Sequence, residues 1–365
     1  MKFRLFFATA VTIFSATGLA GCERAARLPG AQGDAATVAL GRELFFDRSL
    51  SADGAVSCAD CHVPAKSFTD GREVSVGVHG RVSTRNAPDL ADATVYSTLF
   101  WDGRERHLKV VALQAFTNSQ EMGLADVRML LARINAQPRY AKYADGNQLD
   151  QSAVAEGLTQ YLRALPRQPT RYDRSIGEPS LLDADERAGL ALFTGKAACT
   201  ECHLLAGSPA TFTDQKFHHA GVGFEQIAGD VAALLGRLEQ ARRINQPLGT
   251  LVLSEREIAE LGRFVVTRRP ADLGAFRTPS LRNVALTAPY MHDGSVATLE
   301  KAVEREIYYR SLGRGRAVNL TVTEQRQLTA FLRAISTEDQ PAGADAEMSM
   351  SRVPNKELPR LTSSK

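Results

Sequence analysis

Cys58-Ala59-Asp60-Cys61-His62, and again Cys199-Thr200-Glu201-Cys202-His203, decide how the rest of this chain is read. Both fit C-x-x-C-H, the attachment signature of c-type haem. Two thiols three residues apart can reach the two vinyl groups of one porphyrin, and the adjoining histidine then falls beneath the iron as its proximal ligand. Two copies predict two covalent haems, one held by Cys58, Cys61 and His62 and the other by Cys199, Cys202 and His203. A zinc site built from the cysteine pairs would leave two histidines, each directly after a second cysteine, without a cause. A disulfide in each half is the other use an exported chain could make of these cysteines.

Upstream of each motif lies a second likeness: Gly41-Arg42-Glu43-Leu44-Phe45 precedes the first and Gly189-Leu190-Ala191-Leu192-Phe193 the second. The period is far too long for a solenoid, so duplication of a domain is the simpler account, each half being a helix that feeds one cofactor site. Apolar residues recur at helical spacing through Val38, Leu40, Leu44 and Phe45, then Val127, Leu130, Leu131 and Ile134, then Val154, Leu158, Tyr161 and Leu162. Ile258, Leu261, Phe264 and Val265 follow a Ser254-x-x-Glu257 pattern that predicts a capping box, and Leu328, Phe331, Leu332 and Ile335 close the ordered part. No strand alternation of any length interrupts them. The expected fold is all-α, two cytochrome c-like domains spanning 37–178 and 179–337, with Pro166 and Pro169 to Pro179 marking the boundary.

The ends read differently. Met1-Lys2-Phe3-Arg4 followed by the apolar run Leu5 to Ala20 is too short for a stable membrane span and reads as a signal peptide, 1–21. It stops at Leu19-Ala20-Gly21-Cys22, which resembles a lipobox, so Cys22 is the expected lipidated first residue of an exported, membrane-anchored protein; a plain cleavage site with an accidental cysteine is the alternative. Small, polar residues make 22–36 a tether, and the Ser/Pro-rich stretch 338–365 a loose tail. Across the 365 residues, 44 Lys and Arg face 41 Asp and Glu, a net charge of +3 spread thinly, which argues against a nucleic-acid binder.

Several further stretches carry a family resemblance. Phe68-Thr69-Asp70-Gly71-Arg72, Arg85-Asn86-Ala87-Pro88, Phe100-Trp101-Asp102-Gly103-Arg104, Glu121-Met122, Phe276 to Val284 and Ala288 to Gly294 resemble, in order, the bacterial di-haem cytochrome c peroxidases, a family that includes the MauG-type protein oxidases. The resemblance implies a peroxidatic haem in the first domain, an electron-transfer haem in the second, and hydrogen peroxide as oxidant. It also implies a periplasmic partner, either a small cytochrome or cupredoxin that donates electrons or a protein whose side chains are oxidised. Glu121 falls where the family keeps its distal acid/base, and the chemistry demands such a group, because heterolytic O–O cleavage needs a proton moved from one peroxide oxygen to the other. Trp101, the only tryptophan, matches the family's relay between the haems. Asn86, Thr287 and Pro289 match its calcium ligands, an amide oxygen and two backbone carbonyls, suited to a hard cation.

The chain departs from the peroxidase pattern twice. Many peroxidases block the resting first haem with a loop histidine; here Ser75-Val76-Gly77-Val78-His79-Gly80 has Val78 in that place and His79 one position late. At the second haem the family draws a Met or, in MauG-type proteins, a Tyr from a helix fourteen residues after the His-Asp-Gly histidine. Counting from His292 reaches Glu306, with Tyr308 and Tyr309 just beyond and no methionine on that helix, which makes one of the two tyrosines the candidate second axial ligand. The alternative to a peroxidase is a plain di-haem electron carrier of the envelope, distinguished by having no open haem face.

Overall fold

The computed structural model describes residues 34–207, 209–313 and 317–337. The expected signal peptide, Cys22, nearly all of the tether and the tail lie outside the described residues. Helices dominate: α1 (Ala35–Phe46), α2 (Leu108–Thr117), α3 (Val127–Asn135), α4 (Gln151–Ala164), α5 (Ala184–Thr194), α6 (Val231–Arg243), α7 (Leu299–Gly313) and α8 (Val322–Ala334), with shorter helical turns between them. The sheet among the described residues is two residues deep, β1 (Phe217–His218) antiparallel to β2 (Phe276–Arg277), with Phe217 opposite Arg277. None of the described helices is long and apolar enough to cross a membrane.

The two halves are built on one plan, and the duplicated Gly-x-x-Leu-Phe segments show why. In the first half α1 crosses α4 so closely that a Cβ on Gly41 would collide with the Gly157 carbonyl. In the second, α5 crosses α8 and a Cβ on Gly189 would collide with the Gln327 carbonyl. One turn beyond each glycine a phenylalanine fills the space under the crossing: Phe45 lies 5.1 Å from the Tyr161 ring and Phe193 5.1 Å from Phe331. Both phenylalanines are fully buried, so burial of a large apolar side chain, about 1.5–3 kcal/mol each, backs the close approach that glycine permits. Each crossing helix starts at a side-chain cap: Asp34 accepts from the Thr37 amide, Asp150 from Ala153, and the pairs Asp183/Glu186 and Thr321/Glu324 form reciprocal capping boxes. Helix α1 begins at Ala35 and so takes in the last two residues of the expected tether.

Among the described residues, the buried apolar side chains gather into three clusters. The first runs from Leu40 to Leu165 and the second from Tyr172 to Ile335. Tyr172 packs edge-on against Phe212 and Phe331, so the packing changes over between Leu165 and Tyr172, a few residues before the 178/179 division read from the prolines. The third cluster, Ile227 to Val265, is a helical excursion of the second half, centred on Leu238, Val252 and Ile258. Within it the capping box expected at Ser254 and Glu257 is not formed. Ser254 ends the helix Leu248–Ser254 and bonds back to the Leu251 carbonyl, while Glu257 pairs with Arg237 at 2.6 Å.

Candidate haem-binding site

Each C-x-x-C-H segment folds as a single tight turn that puts both thiols and the imidazole on one side. Cys58–Cys61 is one turn of α-helix, closed by the His62 amide on the Cys58 carbonyl at 2.9 Å; Cys199–Glu201 is a turn of 3-10 helix closed by the His203 amide on Cys199, also at 2.9 Å. Asp60 staples the first turn by accepting from the Ser57 amide at 2.7 Å and from Arg48 Nε at 3.0 Å.

Neither cysteine pair forms a disulfide. Burial pushes Cys58 and Cys61 up to about 12 and Cys199 to about 11, because an apolar surrounding disfavours the thiolate.

The histidines are oriented identically. His62 Nδ1 lies 2.9 Å from the Phe68 carbonyl and His203 Nδ1 2.9 Å from the Phe212 carbonyl, and both phenylalanines occupy the left-handed region, φ 57° and 50°. A carbonyl at Nδ1 fixes the proton there and leaves Nε2 to coordinate a metal. Burial lowers both imidazole pKa values, His203 to about 4, which keeps the rings neutral as coordination requires. A pair of thiols beside an imidazole held through its Nδ1 and, at the second motif, a cavity of about 540 Å³ lined by Cys199, Cys202 and His203 are a donor set that fits c-type haem.

Beside the first motif, Glu121 sits in the loop after α2, its amide on the Asn118 carbonyl at 3.0 Å. Its carboxyl pKa is raised by burial, with Arg104 and Asn118 acting in the opposite direction, and its charge in turn raises both Cys58 and Cys61. The Ser75–Gly80 loop is pinned to it by the Val78 amide on the Glu121 carbonyl at 2.8 Å, which buries Val78 completely. His79 turns the other way: its φ is 57°, its side chain is 55% exposed, and its amide donates to Asp53 at 2.7 Å. The histidine of that loop therefore faces solvent.

Between the halves, Trp101 Nε1 donates to the Asn86 carbonyl at 3.0 Å, and the Asn86 amide donates to the His292 carbonyl at 3.0 Å. Trp101 also meets the His292 ring edge-on, 6.4 Å between centroids. Asn86, Thr287 and Pro289 line the same cavity as Trp101 and the second cysteine pair. The Asn86 amide nitrogen is spent on the Arg72 and Glu73 carbonyls, at 2.9 and 3.4 Å.

On α7 the two candidate tyrosines part. Tyr308 is 59% exposed, whereas Tyr309 lines the cavity. Met122 is core filler, and Met291 lines the cavity.

What the sequence did not announce is a buried polar cluster joining the halves. Glu260, fully buried, accepts from Arg85 at 3.2 Å and from His292 Nε2 at 2.6 Å; Phe276 stacks on the His292 ring at 3.6 Å, and the Arg85 guanidinium lies 5.0 Å from the Phe276 ring centroid. Arg85 and His292 sit in motifs already singled out, but Glu260 lies in an unremarkable helical stretch with nothing to flag it.

Residues 35–179 match the family model described as di-haem cytochrome c peroxidase. The cytochrome-c peroxidase IdrP1 of Pseudomonas sp. is 31% identical over 316 residues, 83% of this chain and 81% of that one. The methylamine utilization protein MauG of Methylorubrum extorquens is 32% identical over 315 residues, covering 82% and 78%. Among solved structures, a MauG-like protein associated with microbial copper homeostasis superposes with a TM-score of 0.69 at 30% identity, over 87% of this chain and 95% of that one.

Proposed function

The chain belongs to the di-haem cytochrome c peroxidase family and is an oxidoreductase that uses peroxide, and on that premise we propose how its residues divide the work. The first half, 37–178, takes peroxide, and the second, 179–337, exchanges electrons. Haem attached at Cys58/Cys61 and Cys199/Cys202 would supply the redox chemistry, with His62 and His203 as the residues that would hold its iron. Reduction of H₂O₂ to two waters consumes two electrons and two protons. Glu121 handles the proton traffic: its carboxylate takes a proton from one peroxide oxygen and returns it to the other as that oxygen leaves as water. A carboxyl whose pKa burial has raised can do both near neutral pH. Trp101, hydrogen-bonded to Asn86 and edge-on to His292, lies on the route between the halves and serves as the electron relay.

Asn86 with the Thr287 and Pro289 carbonyls forms the proposed calcium site, drawing ligands from both halves and so fixing their spacing. The electrons come from a small cytochrome or cupredoxin, or from side chains of a partner protein. The protein works in the periplasm, tethered by a lipid on Cys22. The observation that carries the peroxidase reading over a plain carrier is a buried carboxyl, Glu121, close enough to Cys58 and Cys61 to act on both, while the loop histidine, His79, faces solvent. Mixing the ferric holoprotein with one equivalent of peroxide tests it. A rapid change in the haem spectrum is the expected result, and an inert spectrum would reduce the protein to a carrier.

A further inference from the structure

Helix α7 turns one continuous stripe toward the second cysteine pair: Leu299, Ala302, Val303, Glu306, Ile307 and Arg310, spaced i, i+3, i+4, i+7, i+8 and i+11, all line the cavity that holds Cys199, Cys202 and His203. Four of the six are apolar. Arg310, at the end, reaches back to the cysteine turn, donating to the Ala198 carbonyl at 2.7 Å and to Glu201 at 3.1 Å. Glu306 stands among these apolar residues, with small Ala302 one turn before it; Arg310, Arg305 and His218 are near enough to act on its charge, but it forms no hydrogen bond or close ion pair with another described residue.

A carboxylate placed in an apolar cavity must be neutralised by a proton or by a cation. Ferric haem is cationic at its iron, and Glu306 already acts electrostatically on both thiols of this motif, Cys199 and Cys202, as a group facing the same site does. We propose that the Glu306 carboxylate is the distal axial ligand of the haem attached at Cys199, Cys202 and His203. Tyr309 is the rival on the same helix and lines the same cavity, but its ring is hemmed in: it lies against Gly221, where a Cβ would collide with it, and the Arg305 guanidinium stands 5.3 Å from its centroid. A hard anionic oxygen favours ferric over ferrous iron, so this ligand holds the second haem at low potential and suits it to surrender an electron to the first half. The assignment rests on the di-haem reading but not on the peroxide chemistry, and its test is spectroscopic.

Holoprotein variants E306Q, E306M, Y309F and M291L, each checked for two haems by pyridine haemochrome, are compared as ferric proteins by electron paramagnetic resonance, near-infrared magnetic circular dichroism and potentiometry. The parent should lack a near-infrared methionine-to-iron band. E306Q should shift the signal of the second haem alone and raise its midpoint potential, E306M should gain the methionine band, and Y309F and M291L should match the parent. If E306Q fails to retain two haems, E306M decides: gain of the band supports the assignment and its absence overturns it. A second-haem signal altered by Y309F but not by E306Q would also overturn it, as would a methionine band in the parent that M291L abolishes. Peroxide reactivity of the parent, measured separately, fails only if the peroxidase reading fails.

Discussion

Replacing Glu260 by glutamine removes one charge from the centre of the buried cluster while keeping its shape. Arg85 is 6% exposed and Glu260 effectively sealed, so the guanidinium loses its counter-carboxylate in a place water does not reach. Breaking such a buried pair from one side costs about 3–5 kcal/mol, because the surviving charge stays desolvated. Glutamine offers one oxygen where glutamate offers two, so if its carbonyl still accepts from His292 its amide faces the guanidinium; Arg85 then keeps its bond to the Ala259 carbonyl but loses the one to residue 260, and the cost combines the lost charge with that lost hydrogen bond. With an unfolding entropy of about 2.1 cal/mol/K per residue over roughly 300 folded residues, the thermal midpoint should fall by about 5–8 °C. The assay is thermal unfolding of the holoprotein followed by far-ultraviolet circular dichroism at fixed calcium. The double variant R85M/E260Q removes the orphaned charge as well and should recover a good part of the loss. An E260Q variant within about 1 kcal/mol of the parent, or a double variant less stable than the single, would refute the reasoning.

Other consequences follow from the same geometry. Cys58→Ala and Cys199→Ala should each lose one haem and keep the other, because each turn closes on its own residues; pyridine haemochrome and intact mass count them, and zinc in place of haem would undo the whole reading. The peroxide reaction needs Glu121 ionised, so its rate should fall as pH drops through a value above that of an ordinary glutamate, and R104Q, which removes the positive charge holding that pKa down, should move the inflection upward in a stopped-flow pH series. Chelation of calcium should lower the thermal midpoint and the peroxide rate together, with recovery on repletion, whereas N86L should be indifferent to the chelator.

Local chemistry was legible in the sequence and long-range coincidence was not. The C-x-x-C-H turns are set by five consecutive residues, and the helices α1, α3, α4 and α8 announce themselves through periodicity that the buried faces repeat, Leu40, Leu44 and Phe45 in one case and Leu328, Phe331 and Leu332 in another. The duplicated Gly-x-x-Leu-Phe segments gained a physical meaning only with the partner helices in place, since nothing local says that Gly41 must meet Gly157. Ser254 and Glu257 have cap-like spacing, yet Leu251 and Arg237 outbid the cap for their side chains. Spacing put two adjacent tyrosines on α7, but neighbouring positions point about 100° apart, and only the phase of that helix against the cavity separates exposed Tyr308 from Tyr309 and Glu306, which line it. Glu260 was invisible for the same reason: its significance lies in two partners from distant segments, Arg85 and His292.

The most direct test of the account compares the resting ferric holoprotein with its Glu121→Gln variant in stopped-flow reaction with hydrogen peroxide. With two haems and an unchanged resting spectrum, the variant should react roughly 10²–10⁴-fold more slowly, the usual worth of a positioned acid–base group. A variant that reacts with peroxide as fast as the parent would contradict the assignment of proton transfer to Glu121, and with it the central claim that the first haem site is built to cleave peroxide.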